Sequence, residues 1–251
     1  RFQAFDSEVA SFLQDHFSLQ EPFILQDVGV SDGRTACDFF ERLQQKFQKI
    51  AYFALDRGVR VKIIKNEHCC LALSAENKPL ELIFGPFVFS LTRPWEKRAY
   101  LLYPINIIVQ KLALYFFAKR LLSDFYSEEV PLSSEILLFC SRALRLASND
   151  ARFILKEHDI LTPYTQKSHA IRAMNLLNPS YFSTEQFLCI LRYMHDSLFE
   201  GGVLITGSNQ DANTPVQGGI YRKASTGFEE VRRFGNGSPI ATMITNGAFR
   251  S

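Results

Sequence analysis

Phe23–Gly33 reads FILQDVGVSDG, and the rest of the chain is organised around it. Phe23, Ile24, Leu25 and Val28 are apolar enough for a strand covered on both faces, as the central strand of a parallel sheet must be. Gly29 and Gly33 then bracket a loop where the backbone can turn sharply and a ligand can come close. Asp32 or Ser31 is placed to cap a helix that begins near Thr35 and runs towards Lys46. Strand, glycine loop and helix in this order are how doubly wound α/β proteins cradle a nucleotide-like ligand at the carboxyl end of the first strand. The loop is not a dinucleotide fingerprint, because Ser31 and Arg34 stand where GxGxxG needs glycine. No GK[ST] follows, so it is not a phosphate loop. An ordinary strand-to-helix turn would carry the same two glycines.

Composition narrows the classes. The chain has 251 residues, 47% of them hydrophobic and 22% charged, with 23 phenylalanines. That is enough for one large packed domain or a domain with an insertion. The net charge of +2 demands no nucleic-acid partner. Five cysteines (Cys37, Cys69, Cys70, Cys140, Cys189) are an odd number without metal-ligand spacing. This argues against a disulfide framework or a metal site and for a reducing, cytoplasmic setting. No signal-peptide pattern opens the sequence, which begins at Arg1 and leaves room for an upstream segment.

In chain order, Phe5–Phe17 puts Phe5, Val9, Phe12, Leu13 and Phe17 on one helical face. After the glycine loop and its helix, with Cys37, Phe39, Phe40 and Leu43 inward, Ile50–Leu55 is a second apolar strand ending on Asp56. An acidic residue there, about 25–30 residues after the loop begins, suits a ribose diol. The segment 57–134 exceeds what a minimal fold needs. It contains short strands at Val59–Ile64, Cys69–Ser74 and Leu80–Phe84, with a turn at Glu76–Pro79. Ile105–Tyr126 reads as a long apolar helix whose polar residues do not gather on one side. A buried or lid helix is the preferred reading and a peripheral membrane contact the second. Pro104, Gln110 and Lys111 oppose a span. Glu135–Ala147 reads as a strand with a short helix or as one helix. Arg152–Glu157 is a strand ending at His158-Asp159, and His169–Asn175 is the next. Ser183 caps a helix through Phe199, with Glu185 at a capping position and Phe187, Ile190, Leu191, Met194 and Leu198 inward. Val203–Thr206 is a strand. Gly219–Ala224 and Phe228–Phe234 form an antiparallel pair around Ser225-Thr226-Gly227. The expected fold is α/β, a Rossmann-like doubly wound sheet, mostly parallel with an antiparallel carboxyl-terminal hairpin. The core is 1–56 with 135–251, and 57–134 is an inserted α+β segment that forms a lid or acceptor wall.

Asp27, Gly29, Ser31 and Gly33 make D-x-G-x-S-x-G, similar to motif I of class I S-adenosylmethionine-dependent methyltransferases, with Ser31 at the middle glycine. Arg172–Gly207, RAMNLLNPSYFSTEQFLCILRYMHDSLFEGGVLITG, resembles the carboxyl half of that class, most closely the chemotaxis-receptor methyltransferases. Asn175, Tyr181-Phe182 and the Leu198–Leu204 turn hold the matching places, while Met174 replaces an arginine. The resemblance covers about Phe23–Asp56 and Arg152–Phe234. It implies an S-adenosylmethionine cofactor held by Asp27 and the Gly29–Gly33 backbone, with Asp56 on the ribose and Asp159-Ile160 on the adenine. Asn175 would face the place where methyl and acceptor meet. Asn175 and Tyr181 are the catalytic candidates, with His169 a further group that could position or deprotonate an acceptor. The acceptor is a small molecule or a carboxylate, the latter needing no base. The 57–134 segment also suits a lipid-like acceptor or a homodimer surface. A catalytically silent binding or regulatory protein of the same fold is the alternative. A nicotinamide-dependent oxidoreductase is disfavoured by the failed GxGxxG.

Overall fold

The computed structural model describes residues 2–65, 69–74, 77–84, 87–90, 133–209 and 214–246, with isolated positions 108, 111, 112, 115, 116 and 123. The chain divides into two units, Arg1–Arg57 with Phe139–Ser251, and Gly58–Leu138. The elements run α1 (Gln3–His16), β1 (Phe23–Val28), α2 (Arg34–Leu43), β2 (Ile50–Asp56), β3 (Arg60–Lys65), β4 (Cys69–Leu73), β5 (Pro79–Phe84), β6 (Phe87–Ser90) and β7 (Ser133–Leu137). They continue as α3 (Ser141–Asn149), β8 (Phe153–Glu157), β9 (Ser168–Met174), α4 (Thr184–Ser197), β10 (Leu198–Ser208), β11 (Gln217–Ala224), β12 (Gly227–Phe234) and α5 (Ala241–Asn246).

The first unit is built on a seven-stranded sheet of order β12-β11-β10-β9-β1-β2-β8. β8, β2, β1, β9 and β10 are mutually parallel, and β11 and β12 close the sheet as an antiparallel hairpin. This is the mixed α/β arrangement, mostly parallel with antiparallel carboxyl-terminal strands, that the apolar runs imply. On one face Phe40 of α2 packs against Tyr52 and Phe153, and Arg142 of α3 pairs with Asp38 and Glu41 of α2 at 2.6 and 2.7 Å. On the other face Phe187, Ile190, Leu191 and Met194 of α4 and Ile244 of α5 join Val28, Ile171, Leu204 and Tyr221 in one buried cluster. Because β1 turns from one glycine-free apolar face to the other every residue, Val28 enters this cluster while Asp27 faces the α1–α2 layer.

Several local details differ from the expectation. α2 has Gly33, not Asp32 or Ser31, as its N-cap, with no side-chain cap. Asp32 instead accepts from the Arg34 amide at 3.2 Å. α4 is capped by Ser183 as expected, but Gln186 completes the capping box, because it sits at the third helical position while Glu185 sits at the second. β10 begins at Leu198 with a register shift before Val203, and α5 was not legible in the sequence.

The second unit is a five-stranded antiparallel sheet of order β6-β5-β4-β3-β7. β7 pairs with β3 from Arg60↔Leu137 to Ile64↔Ser133. This resolves the ambiguity at Glu135–Ala147 as a strand followed by a separate helix. It also carries the unit to Leu138, past the 57–134 insertion read from the sequence. The helix expected at 105–126 lies almost wholly outside the described residues. Among the described residues no helix is long and apolar enough to cross a membrane.

Candidate functional site

The carboxyl ends of β8, β2, β1, β9 and β10 share one edge of the parallel sheet. The glycine loop leaves β1 at this edge and is stitched to the tip of β2. Gly29 and Val30 amides donate to the Leu55 carbonyl at 2.8 and 3.3 Å. The Ser31 amide donates to Asp56 Oδ2 at 2.7 Å. Gly29, Ser31 and Gly33 alternate in positive φ, at 72°, 54° and 80°. Ser31 thus holds a left-handed conformation that costs about 1 kcal/mol or more without glycine, and Asp56 anchors it there.

Asp27 does not reach this edge. It is 1% exposed and receives the Tyr52 hydroxyl at 2.5 Å and Arg172 Nη1 at 2.9 Å. Arg172 Nη2 donates to Asp6 of α1 at 2.9 Å, and its guanidinium lies 4.7 Å from the centre of the Phe39 ring. Two carboxylates therefore share one cation out of water. Burial raises the pKa of both Asp6 and Asp27, while Arg172 pulls both down. Burial and the neighbouring Asp27 charge hold the Tyr52 hydroxyl protonated. The Asp27 carboxylate, expected to hold the ligand, is thus buried and paired within the chain. Its side chain is spent on joining α1, β1, β2 and β9.

The remaining expected residues lie at the edge with partners of their own. Asp159 at the end of β8 accepts from the Leu161 amide at 3.0 Å and pairs with Arg57 at 3.2 Å. Ile160 is 9% exposed and belongs to the buried cluster with Val28 and Leu55, so it faces inward rather than flanking an open crevice. Asn175 ends β9 with φ 55°, and its amide exchanges two hydrogen bonds with Asn209, at 3.1 and 3.0 Å. Tyr181 is 66% exposed, and its amide donates to the Asn178 carbonyl at 2.9 Å. His169 is not at the edge. It sits at the start of β9, where its Nδ1 accepts from the Ile24 amide at 3.0 Å.

Sequence reasoning passed over Leu176. A Cβ placed on Gly29 would meet Leu176 Cδ2 at 2.8 Å, and the nearest atoms to that point all belong to this leucine. Leu176 thus covers the first glycine of the loop. On its other side it lines a cavity of about 310 Å³ at the tips of β9 and β10, together with Asn175 and Tyr181. Arg172 was also missed, although a charge inside the apolar strand His169–Met174 and another inside Phe23–Val28 are a signal. Two buried opposite charges on neighbouring strands must find each other.

No family model matches the chain, and no curated protein matches it. Its arrangement is similar to those of several solved structures at low identity. The mitomycin 7-O-methyltransferase MmcR matches with a TM-score of 0.35 and 9% identity, over 84% of this chain and 38% of that one. CalS10, an amino pentose methyltransferase from Micromonospora echinaspora solved with S-adenosylmethionine bound, matches with 0.37 and 11%, over 87% and 62%. DesVI of Streptomyces venezuelae matches with 0.38 and 11%, over 90% and 66%. The chain spans less than two thirds of the length of each. Likeness at this level says nothing of what the chain does.

Proposed function

We propose that the unit formed by residues 1–57 and 139–251 is the core of an S-adenosylmethionine-dependent methyltransferase. The observation that carries the reading is the gathering at one sheet edge of the motif I-like loop, Asp56, Asp159 and Asn175, with the loop hydrogen-bonded to Asp56 itself. In the loop, a Cβ on Gly29 would first meet the flexible end of Leu176. Once that side chain turns away, the residues present fit a nucleoside. The donor, when bound, supplies an activated methyl group for in-line displacement, so the chain's task is alignment and exclusion of water. The Gly29–Gly33 backbone and Asp56 are placed to hold it, and Asp159 adds a second carboxylate shared with Arg57. Asn175 and Tyr181, beside the adjoining cavity, are positioned to orient an acceptor, a small molecule or a carboxylate.

A second reading, a silent binding protein of the same fold, is favoured by one specific observation. The polar groups at the edge already have partners within the chain, and Leu176 occupies the space over Gly29. Calorimetry with S-adenosylhomocysteine tests both. The purified chain is expected to bind it, and Asp56→Ala to weaken binding by about 1–3 kcal/mol, the order for removing a buried partner. Binding of NAD(H) in place of S-adenosylhomocysteine would sink the methyltransferase reading. Donor binding without methylation of any acceptor class supports the silent one.

A further inference from the structure

α4 buries Phe187, Ile190, Leu191 and Met194 against the sheet. Cys189, Arg192, Tyr193 and Asp196 follow one another at i, i+3, i+4 and i+7, so they form a stripe along the flank of the same helix. The chain that leads from β8 to β9 passes beside this stripe. Pro163–Lys167 on one wall and the stripe on the other enclose a groove of about 600 Å³, within the size range of small-molecule sites. The Pro163–Lys167 wall is fixed from behind. The Tyr164 ring lies 4.3 Å, centre to centre, from that of His158. Gln26 Nε2 donates to the Gln166 carbonyl at 3.2 Å, and Lys156 Nζ donates to the Thr165 hydroxyl at 3.2 Å. A ligand is thereby spared the cost of ordering that wall.

Each wall carries a cation into the groove, Lys167 on the segment and Arg192 on the helix. Arg192 Nε is 3.8 Å from Asp196 Oδ2, and both side chains are more than half exposed. A pair this long and this wet holds little energy, so the guanidinium can turn to a better-placed anion. Lys156, bonded to Thr165, stands behind the same wall as a third cation. Pro163, Tyr164 and Tyr193 add apolar and aromatic surface between the charges. An anion with an aromatic body uses both features: charge-assisted hydrogen bonds from Lys167 and Arg192, and ring contacts with the tyrosines. A bare anion uses only the first and an uncharged aromatic only the second.

We propose that the groove between Pro163–Lys167 and α4 binds a small aromatic carboxylate, its anionic end on Lys167 and Arg192 and its ring against Tyr164 and Tyr193. The site is separate from the methyl-transfer reading. Lys167 immediately precedes β9 and Asn175 immediately follows it, which sets them about 25 Å of extended chain apart. The full chain, labelled with ¹⁵N, is titrated with 2-naphthoate, with its neutral amide 2-naphthamide and with inorganic phosphate, while the amides of Lys167, Cys189, Tyr193 and Ser197 are followed. Saturable shifts are expected with 2-naphthoate, and binding of the other two should be weaker by about tenfold or more, the loss of one charge-assisted hydrogen bond. Lys167→Gln and Arg192→Gln alter exposed side chains, so both should fold normally and each should weaken 2-naphthoate about tenfold. Asp196→Asn removes a repelling charge and a competitor for Arg192, so it should tighten 2-naphthoate about two- to threefold. Added salt should weaken 2-naphthoate and leave 2-naphthamide unchanged. The proposal is overturned if 2-naphthoate does not shift these amides, if 2-naphthamide binds as tightly, or if neither glutamine variant weakens it. S-adenosylhomocysteine is titrated into the same samples. The 2-naphthoate shifts should persist at its saturation, and their loss by competition also overturns the proposal. A chain that binds 2-naphthoate here but not S-adenosylhomocysteine refutes the methyl-transfer reading and leaves this groove standing.

Discussion

Leu176→Ala separates a crevice that is merely covered from one that is not a ligand site. Fully burying a leucine side chain contributes about 1.5–3 kcal/mol, and Leu176 is half-buried, so its closed position is worth about 1 kcal/mol. A ligand lying on Gly29 must first displace it. An opening cost of about 1 kcal/mol leaves roughly one molecule in six competent, so removing the side chain should tighten S-adenosylhomocysteine about sixfold. The same truncation costs the free protein about 1 kcal/mol, a drop of about 2–4 °C in Tm at this size. Calorimetry and thermal unfolding of the two proteins give both numbers. Binding that is unchanged or weaker, with Tm lowered as expected, would show that the ligand does not lie where Leu176 now sits.

Other consequences follow from the buried charges. Arg172→Met leaves Asp6 and Asp27 without their cation and should cost about 3–5 kcal/mol in urea unfolding; a loss below 1 kcal/mol would mean the pair contributes little. The pKa of Asp6 is raised above 3.8, so the fold favours its protonated form, and its contribution is largest at acid pH and declines as pH rises through the raised value. Asp6→Asn should therefore gain stability relative to the wild type as pH climbs above 3.8, and a difference independent of pH contradicts this. Burial lowers the pKa of His169 below 6.5, and its Nδ1 must stay unprotonated to accept from Ile24. Its contribution is complete above pH 6.5 and is lost as pH falls through the depressed value. His169→Asn keeps an acceptor without the titration, so it should gain on the wild type below pH 6.5 in urea titrations, and parallel curves would count against the bond.

Much of the first unit was legible because its signals are local. Phe23–Val28, Ile50–Asp56 and Phe153–Glu157 are short runs dominated by apolar residues, and such runs pack as buried parallel strands whatever lies far away. Phe187, Ile190, Leu191 and Met194 repeat at helical spacing, and Ser183 marks where their helix begins. β7 was ambiguous because Ser133–Leu137 becomes a strand only by pairing with β3, far back in the chain.

The candidate site divides along the same line. The amino-acid order alone determined the glycine loop, the acidic residues near the strand ends and the hairpin that closes the sheet, since each depends on neighbours within a few positions. Only the tertiary structure decided which way those side chains turn. Asp27 meets Arg172 across 145 positions, Asp6 meets it across 166, and Leu176 settles on Gly29. Burial of charge and the filling of space are set by what else arrives at a point, and no spacing within a segment records that.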